Sequence, residues 1–142
     1  MTEAKACHWF EYRVYWEDTD AGGVVYHARY LNFLERARSD YLLALGYPQV
    51  TLKARAGRLF VVTHASIDYI APARLEDELA VSVRVEQLKQ ASMVFEQAIE
   101  RRGSAATPLA HAQVTVACLD AQSFKPARLP PDLATTIQQH IG

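Results

Sequence analysis

The stretch ARYLNFLERARSDYLLAL, residues 28–45, decides how the rest of the chain has to fold. Its apolar residues recur every three or four positions, while Asn32, Arg36 and Ser39 occupy the other side. This period predicts an amphipathic helix of about five turns. Gly46 and Pro48 follow it, as expected at a helix C-terminus. The apolar side comprises Tyr30, Leu34, Ala37, Tyr41 and Leu45, with Leu31 and Leu42 beside them.

The segments on either side of this helix alternate with the period of two that is typical of strands. Upstream, residues 8–17 put Phe10, Tyr12, Val14 and Trp16 on one side of a predicted strand. Downstream, four more strands are predicted, at 59–70, 79–86, 93–99 and 110–118. Pro130-Pro131-Asp132 predicts the start of a short C-terminal helix.

This order of elements predicts an α+β fold in one domain spanning residues 1–142. A five-stranded antiparallel sheet is expected to wrap around one long central helix, with a short C-terminal helix added. Strict alternation favours an antiparallel sheet with one face covered. Because an exposed edge strand invites further pairing, we expect a second copy of the chain to complete the sheet.

Composition excludes several classes of protein. The 142 residues carry a formal net charge of −1, so no basic field is available for nucleic acid. Cys7 and Cys118 are too few for a disulfide framework, and neither metal-ligand spacing nor a cofactor-binding motif occurs, so no cofactor is expected. The polar N-terminus and the lack of an 18-residue apolar run predict a cytoplasmic protein without a transmembrane segment.

The candidate site is the junction between the first strand and the long helix. Glu17, Asp18 and Asp20 crowd within four residues, and the glycine pair at 22–23 follows. A helix N-terminus offers unpaired N–H groups that stabilise an oxyanion, and a nearby carboxylate can attack a carbonyl or activate water. The residues alone nevertheless favour the alternative, in which Asp18 or Asp20 forms a turn or cap and His27 is an ordinary polar residue.

A longer stretch of sequence favours the catalytic interpretation of this junction over the turn or cap. Residues 14–38, VYWEDTDAGGVVYHARYLNFLERAR, closely resemble the YbgC-type acyl-CoA thioesterases, which belong with 4-hydroxybenzoyl-CoA thioesterase in the hotdog-fold superfamily. Further similarity lies at 60–62, 68–75 and 125–130, so the resemblance covers nearly the whole chain. The fold that it implies, a sheet wrapped around a long helix, agrees with the order of elements inferred from periodicity.

The resemblance implies a role for each residue of the junction. The family's catalytic aspartate, a nucleophile or general base, falls on Asp20, and the backbone N–H that polarises the thioester carbonyl falls on His27. Gly22 and Gly23 would let the backbone approach the substrate closely. Tyr26, together with His27, is expected to line the acyl pocket.

Recognition of the phosphates of CoA requires cations outside this loop. Composition and family position suggest Arg74, Lys89, Lys125 and Arg128, and the alternative is that all four are solvated surface charges. Glu35 is a second catalytic candidate, because another hotdog branch uses a helical glutamate. Since this sequence matches the aspartate branch, Glu35 is expected to be structural and to pair with Arg38 or Arg36.

The resemblance therefore implies hydrolysis of acyl-CoA to free CoA and a carboxylic acid, by a homodimer or homotetramer with sites at subunit interfaces. The alternative is a non-catalytic module that binds acyl-CoA or acyl carrier protein at the inner membrane, since YbgC-type proteins are associated with the Tol–Pal system. A hotdog dehydratase is a third reading, which the intact Asp20 loop disfavours. The sequence does not indicate whether the acyl chain is short, long or aromatic.

Overall fold

A computed structural model describes residues 7–103 and 106–141 of the chain. The strands are β1 (His8–Arg13), β2 (Arg58–Tyr69), β3 (Glu78–Leu88), β4 (Ser92–Arg101) and β5 (Thr107–Asp120). The helices are α1 (Arg29–Ala44), the single turn α2 (Gln49–Thr51) and α3 (Pro131–Ile141). A 3₁₀ turn spans Trp16–Asp18, and a π-helical turn spans Leu52–Ala56.

All five strands form one antiparallel sheet in the order β1-β3-β4-β5-β2, as the alternation predicts. The pairing register shifts at Val62/His64, at Val85/Gln87 and at Ile99/Glu100. Such bulges bend a strand and increase its twist, which lets a sheet curve around a helix. The edges of the sheet are β1 and β2.

Helix α1 lies against the curved inner face of the sheet. Phe33, Leu34 and Tyr41 are at most 1 % exposed, and valines of β3 such as Val81 and Val83 are fully buried beneath the helix layer. Burial of one such side chain stabilises the fold by roughly 1.5–3 kcal/mol. The predicted central helix and its wrapping sheet are therefore both confirmed.

The first strand is shorter than predicted. β1 ends at Arg13, and Val14 turns away to exchange backbone hydrogen bonds with Asp77 and Glu76. The chain then enters the 3₁₀ turn, which leaves Trp16 79 % exposed instead of on the inner side of a strand. The alternating pattern continues in the sequence past Arg13, but the sheet pairing that would use it does not.

Residues 49–56, for which the sequence pattern predicts no helix, are helical. Leu52 is 4 % exposed and anchors this segment in the core, and Gly57 ends it with a φ of +66°. A single buried residue is too weak a periodic signal to predict a helix.

Strand β2 is an edge strand twelve residues long, paired only with β5. Residues 63–66 in its middle are exposed. An edge of this length with free backbone groups is the surface on which another strand can pair.

Candidate functional site

The loop between the 3₁₀ turn and α1 is closed by its own backbone. The Asp20 N–H donates to the Val24 carbonyl at 2.9 Å, and the Gly23 N–H donates to the Asp20 carbonyl at 3.0 Å. Gly23 has a φ of +82°, a conformation that favours glycine. The Val25 N–H donates to the Ala73 carbonyl at 2.8 Å, which fixes the loop to the segment before β3.

Asp18 is the anchor of this loop. Its side chain is 1 % exposed, and its Oδ2 accepts a hydrogen bond from the Tyr15 N–H at 2.9 Å. Its Oδ1 lies 3.9 Å from Nη1 of Arg29, in the first turn of α1. The Asp18 carbonyl accepts from the Tyr26 N–H at 2.9 Å. These contacts make Asp18 a structural residue with no access to a substrate.

Asp20, two residues later, is exposed. Its Oδ1 accepts a hydrogen bond from the Gly22 N–H at 2.8 Å, and a Cβ at Gly22 would lie 3.2 Å from that oxygen. Among the described residues, Oδ2 of Asp20 has no hydrogen-bond partner. The turn thus orients one carboxylate oxygen and leaves the other one open.

The start of α1 offers unpaired donors next to this loop. The N-cap Ala28 supplies no side-chain cap, and within residues 7–103 and 106–141 the His27 N–H has no acceptor. A helix N-terminus in this state carries a partial positive charge. The His27 carbonyl is held from the other side by the Tyr69 hydroxyl, which donates to it at 2.9 Å.

Aromatic rings surround His27. The rings of Tyr26 and His27 lie 4.6 Å apart, and the ring of Tyr69 lies 6.4 Å from His27 and 5.0 Å from Tyr30. Tyr26 and Tyr69 are about half exposed, at 46 % and 50 %. Sequence reasoning did not single out Tyr69. The only signal for it was its position inside the family-like segment at 68–75.

The four candidate cations separate into different places. Lys89 and Arg128 line one cavity of about 470 Å³. The backbone between them is tied by the Leu129 N–H, which donates to the Gln90 carbonyl at 2.9 Å. Arg74 instead forms a backbone bridge with Val24, and Lys125 lies exposed beyond β5. The structure therefore brings together two of the four.

The cavity and the loop lie at opposite ends of β3. Asp77, before this strand, bonds to Val14 near the loop, whereas Lys89 follows the last residue of the strand. Eleven residues of strand span roughly 30 Å. Within one chain, Lys89 and Arg128 are therefore far from Asp20.

The expected pairing of Glu35 with an arginine is wrong. Glu35 accepts a hydrogen bond from the Ser39 hydroxyl at 2.6 Å. The guanidinium of Arg36 lies over the ring of Phe33, 5.4 Å from its centroid. Arg38 donates to Gln97 at 3.1 Å. The hydroxyl four residues along the helix is a nearer partner for Glu35 than either cation.

In the part of the chain that the structure describes, no three histidine, cysteine or acidic side chains are grouped to hold a metal ion. No helix among these residues combines the length and apolar character needed to cross a bilayer.

Several known proteins that resemble this chain in sequence and structure are thioesterases. The model of the thioesterase-like superfamily matches residues 14–137. The acyl-CoA thioesterase YbgC of Haemophilus influenzae is 47 % identical over 124 residues, which cover 87 % of this chain and 89 % of the relative. The acyl-CoA thioester hydrolase YbgC of Escherichia coli is 42 % identical, with coverage of 89 % and 92 %. The crystal structure of a probable thioesterase from Bartonella henselae is 40 % identical and superposes with a TM-score of 0.82, over 88 % of this chain and all of that one.

Proposed function

This chain belongs to the thioesterase-like superfamily as a YbgC-type acyl-CoA thioesterase with the hotdog fold, and from that premise we propose that Asp20 and the start of α1 perform its hydrolysis of acyl-CoA. The products are free CoA and a carboxylic acid. One observation carries the proposal: an exposed carboxylate with an open oxygen and an unpaired His27 N–H occupy the same junction.

The His27 N–H is suited to the charge that develops during the reaction. Attack on a thioester places negative charge on the carbonyl oxygen, and a fixed backbone donor stabilises that oxyanion without having to reorganise. The Tyr69 hydroxyl holds the His27 carbonyl, which lies in the peptide unit after the one that carries the His27 N–H. Because His27 acts through its backbone N–H, its imidazole contributes less to the reaction than the carboxylate of Asp20.

Asp20 can act by either of two routes. As a nucleophile it attacks the thioester carbon, the C–S bond breaks, CoA leaves as a thiolate that takes a proton from solvent, and water then hydrolyses the anhydride. As a general base it removes a proton from the attacking water, and that proton passes to the departing thiolate. The Gly22 N–H, bonded to one oxygen, leaves the other oxygen available in both routes. Gly22 and Gly23 keep the loop free of side chains that would obstruct the approach of the substrate.

Tyr26 is proposed to contact the acyl group of the substrate. Its ring lies 4.6 Å from the His27 ring, tilted by 57°, and is 46 % exposed, so it offers an apolar wall next to the proposed oxyanion donor. Tyr69 provides a second wall from strand β2.

Lys89 and Arg128 are proposed to bind the phosphates of CoA. They are the two candidate cations that share a cavity, and phosphate is a strong acceptor for both ammonium and guanidinium groups. Because they lie far from Asp20 of their own chain, they serve the site of a second copy.

The second copy can dock at the free edge of β2. If two β2 strands pair antiparallel, a two-fold axis reverses one sheet relative to the other. The end of one sheet that carries Lys89 and Arg128 then meets the end of the other that carries the Asp20 loop. We propose a homodimer of this kind, which is also the unit from which a tetramer would form.

The experiment that tests the proposed function follows thiol release from several acyl-CoAs with a thiol-reactive dye. Asp20→Asn keeps the size and the hydrogen bond to Gly22 but removes the charge, so we expect kcat to fall by roughly 10²–10⁴ with an unchanged melting temperature. Glu17→Gln is the matched control, since Glu17 is an exposed carboxylate of the preceding turn.

Undiminished turnover in Asp20→Asn would contradict the catalytic role of Asp20. Wild-type protein that binds acyl-CoA without releasing thiol would favour the non-catalytic module instead.

A further inference from the structure

A cavity separate from the Asp20 loop lies between the middle of α1, the start of β2 and the inner face of β4 and β5. Its volume is about 140 Å³. Most of its wall is apolar, formed by side chains such as Leu42, Phe60 and Phe95. Arg38 of α1 lines the same cavity.

The guanidinium of Arg38 is held in one orientation by a buried amide. Its Nη1 donates to Oε1 of Gln97 at 3.1 Å. Gln97 is 1 % exposed, and its Nε2 donates to the carbonyls of Leu34 at 3.1 Å and Ser82 at 3.2 Å. Because both amide protons are used, the Gln97 oxygen has to face Arg38. The arginine is thus positioned by a network that has no titrating group.

Arg38 forms no ion pair with any residue that the structure describes, although Glu35 lies in the same cavity wall. Among the described residues, no carboxylate lies within 4.0 Å of its guanidinium. The nearest acid in the cavity wall, Glu35, is occupied by the Ser39 hydroxyl at 2.6 Å, and Ser39 accepts in turn from Nε2 of Gln49 at 2.8 Å. Burial lowers the pKa of Arg38, and the negative charge of Glu35 offsets only part of this cost of holding the cation away from water.

A half-buried guanidinium with most of its donors unused and an apolar wall beside it is complementary to a carboxylate on a hydrocarbon chain. The carboxylate would form the ion pair that Glu35 does not form with Arg38, and it would accept two parallel hydrogen bonds. The chain would cover the apolar wall.

The cavity lies along the same helix whose start carries the proposed oxyanion donor. Arg38 is eleven residues beyond His27, which is roughly 16 Å along a helical axis, and helical side chains lean toward the N-terminus, so the Arg38 side chain shortens this distance. Leu31, Glu35, Arg38 and Leu42 follow one another at helical spacing on this side of α1. An acyl group of medium length that starts at His27 and follows α1 would end at Arg38.

We propose that Arg38 makes this enzyme selective for acyl-CoA thioesters whose acyl group ends in a carboxylate, the CoA thioesters of dicarboxylic acids. The inference rests on the proposed function, because it assigns the far end of the acyl group in that same hydrolysis. Arg38 is a specificity-determining residue here and takes no part in bond breaking.

The test compares adipoyl-CoA, which ends in a carboxylate, with heptanoyl-CoA, which ends in a methyl group. For the wild type we expect kcat/KM to favour adipoyl-CoA by roughly tenfold or more, as a charge-assisted bidentate contact requires. Arg38→Met removes the charge and keeps an apolar side chain, so the preference should reverse. Arg38→Lys keeps the charge without the planar fork and should give an intermediate preference.

Arg36→Met is the matched control, because Arg36 lies over Phe33 and does not line the cavity. It should retain the wild-type preference. Heptanoyl-CoA favoured by the wild type, or an adipoyl preference that survives in both Arg38 variants, would overturn the inference while leaving the hydrolase assignment intact. Absence of hydrolysis with every acyl-CoA would instead contradict the proposed function. A melting curve for each variant shows that it is folded.

Discussion

Two aspartates separated by one residue have opposite environments in this protein. Asp18 is buried and bonded to the backbone of Tyr15, whereas Asp20 is exposed and has one unbonded oxygen. Composition and local propensity treat both as turn residues and cannot separate them. The family resemblance separates them, and the contacts of Asp18 give the physical reason: a carboxylate used to hold the loop cannot also approach a substrate.

Lys89 and Arg128, which line the same cavity, give a prediction at the scale of single residues. In the double variant Lys89→Gln/Arg128→Gln we expect KM for acyl-CoA to rise roughly tenfold, because two phosphate contacts are lost. KM for the corresponding acyl-pantetheine, which has no phosphate, should stay unchanged, as should kcat. Steady-state kinetics with the two substrates measures the difference.

Lys125→Gln is the control for that variant, since Lys125 is exposed and outside the cavity. An equal rise in KM for both substrates would show that the two side chains support the fold and do not bind phosphate.

At the scale of elements, α3 packs into the core beside a pair of histidines. Leu133 and Ile137 of α3 are fully buried, and the ring of His140 lies 5.5 Å from that of His8 in β1. The ring of Tyr41, in α1, lies 5.1 Å from His8. Nδ1 of each histidine is buried without a hydrogen-bond partner among the described residues. The elements β1, α1 and α3 therefore meet at a site where protonation of His8 is unfavourable.

This arrangement predicts a loss of stability in mild acid. Burial and the neighbouring His140 lower the pKa of His8 from its ordinary value of 6.5. The unfolded chain then binds more protons than the folded chain below pH 6.5, so the free energy of unfolding falls as the pH drops from 6.5 toward the folded pKa, and levels off below it. Thermal unfolding between pH 8 and pH 5 measures this slope.

His8→Phe keeps a ring beside Tyr41 and removes the titrating group, so its melting temperature should fall less over the same range. His111→Gln, which alters an exposed histidine of β5, should keep the wild-type slope. Identical slopes in all three proteins would refute a role for His8.

At the scale of the whole molecule, the direction of the strands separates the two halves of the proposed site. Lys89 and Arg128 lie at one end of the sheet and the Asp20 loop at the other, and in the proposed dimer a second copy turned by a two-fold axis brings them together. The long free edge of β2 is the place at which that copy would pair.

Mixed dimers test this arrangement. An Asp20→Asn chain and a Lys89→Gln/Arg128→Gln chain, carrying different affinity tags, are co-expressed and purified through both tags in turn. If the site is shared, each mixed dimer has one intact site and should show roughly half of the wild-type activity at low acyl-CoA. Mixed dimers of two differently tagged Asp20→Asn chains should stay inactive. A mixed dimer no more active than its parents would mean that each chain uses its own Lys89 and Arg128.

Much of the fold and part of the site follow from short stretches of sequence. The helix at Arg29–Ala44, the alternating strands and the loop of Asp20, Gly22 and Gly23 are local patterns, since their periodicity and turn geometry involve residues close together in the chain. The same holds for the run at 14–38 that identifies the family. Trp16 was misplaced because its alternation continues after the sheet pairing has ended.

Only the tertiary structure decided which distant residues meet. The strand order β1-β3-β4-β5-β2, the Tyr69 hydroxyl on His27 and the shared cavity of Lys89 and Arg128 all join segments far apart in sequence. The orientation of Arg38 by Gln97 is also such a result, because it depends on what β4 places beside α1. Periodicity specifies which face of an element is buried, but contacts between elements depend on pairing and packing that no single stretch of the chain encodes.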